Sequence, residues 1–211
     1  MLTEDKGLEN IARYFDDKIQ TYGPNAQGAD WKDEKSQILR FKSFEGLFRR
    51  SERNFSVIDF GCGYGALVDY LDAQDFEFSY LGLDISPDMI AAAKKRCGDS
   101  DKVDFRVGGL SALPEADFVV ASGTFNVKLD ADSTIWQSYV NRQIEALFGL
   151  SRIGIAINFL SDFSQESKKD SKLHYQKSAD LCRGSENPMS RLLGIDHLYS
   201  PWEFTFTALK R

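Results

Sequence analysis

The chain has 211 residues, of which 42% are hydrophobic and 27% charged, and these proportions fit one globular domain with a sizeable core. Its net charge of −6 disfavours a protein that tracks nucleic-acid phosphates, so a nucleic-acid partner is not expected. No apolar run reaches the length of a membrane helix, and the first residues lack the pattern of a secretory signal. The three cysteines lie far apart, which argues against disulfides and metal clusters and indicates a cytoplasmic protein.

The first fifty residues predict a helical cap, residues 1–50, that precedes the main domain. Apolar residues recur every three to four positions from Leu8 to Ile19, which predicts a helix that ends at the turn after Tyr22. A second helix is predicted from about Asp33 to Phe48. Acidic residues stand in its first turn and basic residues in its last turn, an arrangement that complements the helix dipole.

From residue 51 onward, strand and helix patterns alternate. The predicted strands are Phe55–Phe60, Phe78–Leu83, Val103–Val107, Asp117–Ala121 and Ile153–Phe159. The helices between them are Ala66–Leu71, a helix that starts at Ser86 and stops before Gly98, and Ser133–Leu147, which Gly149 is expected to end. This order predicts a doubly wound α/β sheet with right-handed crossovers over residues 51–211.

The last fifty residues carry weaker signals. The polar stretch Ser161–Lys172 predicts a loop, and a short helix is expected around Ala179–Arg183. Two final strands, Leu192–Asp196 and Glu203–Leu209, close the predicted sheet.

A glycine-rich turn follows the first strand and reads Gly61-Cys62-Gly63-Tyr64-Gly65. Glycine has no Cβ, so it adopts positive φ and lets a ligand approach the backbone closely. Because a helix starts directly after it, this turn predicts a floor for a nucleotide-like cofactor at the carboxyl edge of the sheet. The turn alone does not select the ligand, since it also fits a loose dinucleotide-binding pattern.

Asp59 stands two positions before the first glycine and favours one kind of ligand. A carboxylate at this point would repel a pyrophosphate held on the following helix, and it suits a ligand with an ammonium and a sulfonium group. S-adenosylmethionine has both groups. The alternative interpretation is a tight strand-to-helix turn that binds nothing.

Asp84 ends the second strand and is the second acidic residue of the pattern. A carboxylate there can accept hydrogen bonds from both hydroxyls of a ribose. Dinucleotide-binding folds use the same arrangement, so Asp84 indicates an adenosine ribose without selecting one cofactor. The alternative role is to cap the helix that begins after Ser86.

The segments Val57–Gly65, Leu81–Ile90 and Asp117–Gly123 together resemble the class I, Rossmann-like S-adenosylmethionine-dependent methyltransferases. The resemblance is good over residues 50–160 and looser over the last strands. It implies a seven-stranded sheet of order 3-2-1-4-5-7-6 with an antiparallel last strand, and S-adenosylmethionine as the cofactor.

The resemblance also implies which residues hold the cofactor. Gly61, Gly63 and Gly65, with Cys62 in the same turn, would contact its methionine and ribose portion, and Asp59 would interact with its amino-acid end.

The adenosine end would be held after the second and third strands. Asp84 would bind the ribose hydroxyls, with Ile85 and Met89 against the adenine. The family usually has a Gly-Asp pair after the third strand, whereas this chain has Gly109 and Leu110, so the acidic contact to the adenine amino group is missing. The backbone N–H of Leu110 is the expected substitute.

Ser122 follows the fourth strand, where the family places backbone contacts to the cofactor and the floor of the acceptor site. The chain lacks the Asn/Asp-Pro-Pro-Tyr/Phe tetrapeptide there, which lowers the expectation of methylation on a nucleic-acid amino group.

Three further residues are candidates near the reacting groups. Arg40 could clamp the methionine carboxylate with its planar guanidinium, and Trp31 could stack near the sulfonium. The alternatives are a solvated arginine and a tryptophan that packs the cap. His197, before the last strand, is the candidate general base, although a lone loop histidine is more often simply exposed.

The sequence therefore predicts an S-adenosylmethionine-dependent methyltransferase that acts on a small polar acceptor molecule. The alternatives are an NAD(P)-dependent oxidoreductase and a non-catalytic module that binds S-adenosylmethionine. A homodimer is compatible with the sequence.

Overall fold

The computed structural model describes residues 4–51, 54–183 and 189–211. The strands are β1 Phe55–Phe60, β2 Phe78–Asp84, β3 Val103–Val107, β4 Ala116–Ser122, β5 Ser151–Ser161, β6 Tyr175–Gln176, β7 Leu192–Asp196 and β8 Glu203–Leu209. The helices are α1 Glu4–Tyr22, α2 Glu34–Lys42, α3 Glu45–Phe48, α4 Ala66–Ala73, α5 Pro87–Cys97, α6 Ser133–Leu150 and α7 Ser178–Arg183, with one 3₁₀ turn at Glu166–Lys168.

The sheet has the strand order β3-β2-β1-β4-β5-β8-β7. The first five strands are parallel, and β8 runs antiparallel to both β5 and β7. This path confirms the predicted seven-strand order and the doubly wound α/β class. The short strand β6 is an addition: it pairs in parallel with the last residues of β5, through Leu160–Tyr175 and Ser161–Gln176. Two residues are too few to give a periodic sequence signal.

The apolar core covers both faces of the sheet. On one face, α6 packs against β4 and β5 through residues such as Val140 and Ile157. On the other face, Phe48 of α3 stacks on Phe55 of β1, with ring centroids 5.2 Å apart. Phe41 of α2 joins the same cluster, so the segment predicted as a cap shares an apolar core with the sheet.

Two helix boundaries differ from the sequence prediction. The predicted helix from Asp33 to Phe48 is two helices, because the chain turns at Ser43 between α2 and α3. Asp33 caps α2 and forms a reciprocal capping box with Ser36. Gly149 does not end α6, which continues to Leu150; the prediction was wrong because an exposed glycine is tolerated inside a helix at a modest cost.

The parallel strands fix where a ligand can bind. Because β1, β2, β4 and β5 end at the same edge, the loops that follow them converge there. Helix α1 packs against α5 and α6 and closes this edge from one side. Within the described ranges, no helix combines the length and apolar character needed to cross a bilayer.

Candidate active site

A cavity of about 490 Å³ lies at the carboxyl edge of the sheet. Its floor is made by the turn after β1 and by the ends of β2 and β4. Its walls come from α1, from the loop before α2, from α2 and from the segment before β8. Its size is in the range of small-molecule sites, about 300–1,000 Å³.

The glycine turn has the backbone that the sequence predicted. Gly61 and Gly63 have φ values of 78° and 54°, in the left-handed region. A Cβ on Gly61 would lie 2.4 Å from Oγ1 of Thr124, so that position is filled by the loop after β4. A Cβ on Gly63 would meet no atom closer than 3.9 Å, and Gly63 lines the cavity. The turn therefore leaves its backbone at Gly63 open to a ligand.

Gly65 and Cys62 have mainly structural surroundings. Gly65 has a φ of 80°, and a Cβ there would lie 2.9 Å from the ring of Phe105, so it permits close helix–sheet packing. It is not among the residues that line the cavity. Cys62 does line it, but burial raises the pKa of its thiol well above the usual value, so the thiol stays protonated.

Asp59 is 2% exposed and lies under the cavity at the end of β1. Its Oδ2 accepts a hydrogen bond of 2.7 Å from the hydroxyl of Tyr80, while its Oδ1 has no partner among the described residues. Burial raises the pKa of Asp59 to about 7, and the nearby Asp84 adds to the rise. A buried carboxylate with one unsatisfied oxygen suits a cationic ligand group.

Asp84 lines the cavity at the end of β2 and holds two backbone groups. Its Oδ2 accepts a hydrogen bond from the N–H of Gly63 at 2.9 Å, and its Oδ1 accepts one from the N–H of Ser86 at 2.9 Å. The helix cap comes from Ser86, whose Oγ accepts a bond from the N–H of Met89. Burial raises the pKa of Asp84 to about 6. Each carboxylate oxygen keeps a further lone pair for a hydroxyl donor.

Some of the residues predicted to contact the adenine line the cavity and others do not. Ile85 and the buried Met89 line the cavity beside Asp84. Gly108 also lines it, whereas Gly109 and Leu110 do not. After β3, the residue that reaches the cavity is therefore Gly108, one position before the Gly109 that the family resemblance indicated.

Arg40 reaches the cavity but is already paired. Its guanidinium forms a buried ion pair with Glu203 of β8 and lies 4.4 Å from the ring centroid of Trp31. Both Arg40 and Glu203 line the cavity, and Nε of Arg40 and Oε2 of Glu203 have no partners among the described residues. Burial raises the pKa of Glu203, and Arg40 opposes that rise. Trp31 packs over Gly123 and also lines the cavity.

A polar network behind this ion pair was missed by the sequence analysis. Ser122 donates to Oδ1 of Asn158 at 3.0 Å, and Nδ2 of Asn158 donates to Thr205 at 2.7 Å. The hydroxyls of Ser43 and Tyr199 complete the network. Its members lie just after α2, on β4, β5 and β8, and in the loop before β8, so no local motif marks them. The network fixes the position of α2 over the sheet.

His197 does not line the cavity. Its ring lies between those of Phe163 and Phe204, with centroid distances of 5.4 Å and 4.9 Å. Its Nε2 is buried without a partner among the described residues, and the structure does not bring the ring to the other predicted site residues. The rings of Phe125 and Phe159 stack 6.0 Å apart, so the space between these two rings is filled.

The cavity has a second end beyond Gly123, on the side of β6, which is named the acceptor end for the role proposed for it below. Its walls are mainly apolar and aromatic, with Asn126 as a buried polar residue among them. The apolar wall residues are Val127, Trp136, Tyr139, Leu160, Leu173 and Trp202. This end is continuous with the floor formed by the glycine turn.

The floor fits S-adenosylmethionine on two observations. The unpartnered Oδ1 of Asp59 offers a site for a cationic amino group, and the open backbone at Gly63 leaves room for the ligand next to Asp84. A dinucleotide pyrophosphate at the same place would face the carboxylate of Asp59.

Comparisons with known proteins agree with this geometry. A family model described as "Methyltransferase domain" matches residues 57–140. A Mycobacterium tuberculosis protein named "Putative methyltransferase Rv1506c" is 38% identical over 156 residues, which cover 74% of this chain and 93% of that protein.

Solved methyltransferase structures share the fold. Magnesium protoporphyrin IX methyltransferase from Synechocystis PCC 6803, with bound S-adenosylhomocysteine, superposes with a TM-score of 0.64 at 14% identity and covers 97% of this chain and 100% of that one. An S-adenosylmethionine-dependent methyltransferase from Methanosarcina mazei has a TM-score of 0.56 at 14% identity, over 78% and 96% of the two chains. The chain therefore belongs to the methyltransferases, and its sheet has the strand order expected of their class I, S-adenosylmethionine-dependent members.

Proposed function

We propose that this protein transfers a methyl group from S-adenosylmethionine to a small polar acceptor molecule held in the same cavity. The observation that carries the proposal is continuity: the floor at Asp59 and Asp84 and the acceptor end near Asn126 belong to one cavity of about 490 Å³. A cavity of that size, shared with the cofactor, favours a small acceptor. The net charge of −6 adds an argument against a nucleic-acid acceptor.

The cofactor, when bound, supplies a methyl group already activated by the sulfonium sulfur. The chain then needs mainly to position the acceptor and to exclude water. In this proposal Asp59 holds the amino group of the cofactor and Asp84 its ribose, with the backbone of Gly63 between them. Leu8 and Ile11 of α1 form an apolar wall that limits the access of water.

Proton removal by a histidine has no support in the cavity, because His197 packs between aromatic rings outside it. Asp59 is committed to Tyr80 on one oxygen. The proposal therefore favours catalysis by positioning.

Calorimetric titration with S-adenosylhomocysteine tests the cofactor-binding part. An Asp84→Ala variant is expected to bind it at least about tenfold more weakly, because hydrogen bonds to a charged group are lost. Asp104→Ala is the matched control, since Asp104 is exposed on β3, does not line the cavity and pairs with Arg106. Equal affinity in all three proteins, each shown by circular dichroism to be folded, would contradict the assigned ribose contact.

Methyl release over a panel of metabolites tests turnover. Transfer from labelled S-adenosylmethionine to a small molecule is the expected outcome. Tight cofactor binding without transfer to any panel member would favour the non-catalytic module instead.

A further inference from the structure

We infer that the acceptor reacts through an oxygen atom carried on a ring-sized apolar body, and that the side-chain amide of Asn126 holds this oxygen. The inference rests on the proposed function and names the acceptor class of the same cavity.

The amide of Asn126 has a fixed orientation. Its Oδ1 accepts a hydrogen bond of 3.1 Å from the backbone N–H of Leu160, and only the oxygen of an amide can accept such a bond. The backbone of Asn126 is held as well, since its N–H donates to Gly123 at 3.0 Å and its carbonyl accepts from His174 at 2.8 Å. The side chain is buried and therefore preorganised.

The amide nitrogen faces the junction of the two ends of the cavity. Nδ2 lies 3.3 Å from the position that a Cβ on Gly123 would take, and a ring atom of Trp31 lies 2.5 Å from that same position. Over residues 4–51, 54–183 and 189–211, Nδ2 donates to no residue, while Asn126 lines the cavity. A hydrogen-bond donor is thus left for a ligand beside Trp31, where the cofactor floor meets the acceptor end.

A hydrogen-bond donor at this point favours a substrate that takes the methyl group on an oxygen over one that takes it on an amine nitrogen. A nucleophilic amine has one lone pair, so a bond from Nδ2 would compete with the methyl transfer. An oxygen has at least two lone pairs, and it can accept from Nδ2 with one and react with another.

The walls of the cavity, and the fact that neither histidine lines it, narrow the class of methyl acceptor further. The wall residues Val127, Leu160, Leu173 and Trp202, with the aromatic Trp136 and Tyr139, suit a flat apolar body. Neither His174 nor His197 lines the cavity, so the inferred oxygen is one that loses its proton without a histidine base. A carboxylate or an acidic hydroxyl meets this condition.

The step balances without a further reactant. A lone pair of the ionised oxygen forms a bond to the methyl carbon, the carbon–sulfur bond breaks with its electron pair on sulfur, and S-adenosylhomocysteine and a methyl ester or ether result. No proton has to be moved when the oxygen is already ionised.

Matched probe pairs test the inference: indole-3-acetate against tryptamine, and 2-naphthoate against 2-naphthylmethylamine. Binding to protein loaded with S-adenosylhomocysteine is measured by saturation-transfer nuclear magnetic resonance, and products with S-adenosylmethionine by mass spectrometry. We expect an oxygen probe to bind and to give an O-methyl product, with the amine of the same pair bound about tenfold more weakly.

Asn126→Asp gives the sharper result, because it keeps Oδ1 for Leu160 and replaces the donor by an acceptor. We expect about tenfold weaker binding of the oxygen probe, a raised KM and stronger binding of the matched amine, with unchanged affinity for S-adenosylhomocysteine. Asn141→Asp is the matched control, since Asn141 is exposed on α6 and also accepts a hydrogen bond through Oδ1, from Gln137. If Asn126 had only a structural role, the variant would bind both probes more weakly, and the oxygen probe would still bind more tightly than the amine.

Each other outcome overturns the inference. N-methyl products, preferred binding of the amines, or binding of neither member of either pair contradicts the acceptor class. These results are distinguishable from failure of the proposed function, which appears as absence of binding of S-adenosylhomocysteine or absence of methyl transfer over the full metabolite panel.

Discussion

The floor of the cavity and its acceptor end are built in different ways. The floor comes from one contiguous segment, Asp59 to Tyr64, together with Asp84 on the neighbouring strand. The acceptor end depends on side chains such as Arg40, Asn126 and Glu203, which come from three distant parts of the chain. A local backbone turn therefore defines where the cofactor lies, and tertiary packing defines what can lie beside it.

The largest expected effect concerns Asp59 in the floor. Its folded pKa of about 7 lies above the ordinary 3.8, so burial favours the protonated form. Asp59 therefore contributes fully to the free energy of unfolding below about pH 4, and this contribution is lost as the pH rises through 7. The loss amounts to about 4 kcal/mol.

Asp59→Asn should therefore gain stability relative to wild type by about 4 kcal/mol between pH 4 and pH 7, with no further change above. Urea denaturation over that range measures it. Since Asn keeps an oxygen for Tyr80, a stability difference that does not vary with pH would contradict the raised pKa.

At the acceptor end, Glu203→Gln should destabilise the protein by about 3 kcal/mol, because it leaves the charge of Arg40 buried without its partner. The control Glu166→Gln removes a carboxylate that is 88% exposed and paired with Lys169, so a change of at most about 0.5 kcal/mol is expected. Chemical denaturation of both variants at pH 7 provides the comparison. Equal losses would mean that the buried pair contributes no more than a surface pair.

Two glycines of the turn allow the cost of a positive φ to be measured with and without a steric clash. Gly61→Ala should cost about 2 to 3 kcal/mol, since its Cβ would meet Thr124 in addition to the cost of positive φ. Gly63→Ala should cost only about 1 kcal/mol, because its Cβ points into open space. Thermal unfolding measures both. A larger loss for Gly63→Ala would mean that the turn packs differently from the structure described.

The smallest effect is expected for His197→Asn. Because the ring packs outside the cavity, the substitution should change kcat by less than about twofold at every pH, measured with an identified acceptor. Steady-state kinetics from pH 6 to 9 measure this. Loss of activity together with loss of an ionisation near neutral pH would restore the general base that the sequence suggested.

The sequence predicted the fold and the floor well, because both depend on short local patterns. Every strand of the main path was located, and the positive φ values of Gly61 and Gly63 follow from their place between strand and helix. The sequence could not show that His197 lies outside the cavity, because its position before β8 says nothing about which neighbours surround its ring.

The acceptor end could not be predicted from the sequence in the same way. The pairing of Arg40 with Glu203 joins residues 163 positions apart, and the orientation of Asn126 depends on a backbone N–H in β5. Strand β6, which borders this end, is only two residues long. Such contacts arise from packing of whole elements and leave no periodic pattern.

A crystal structure with S-adenosylhomocysteine tests the central claim most directly. We predict its ribose hydroxyls at hydrogen-bonding distance from Asp84, its adenine against Ile85 and Met89, its amino group near Oδ1 of Asp59, and its sulfur directed toward Asn126. A ligand bound outside this cavity, or one whose sulfur points away from Asn126, would contradict the account.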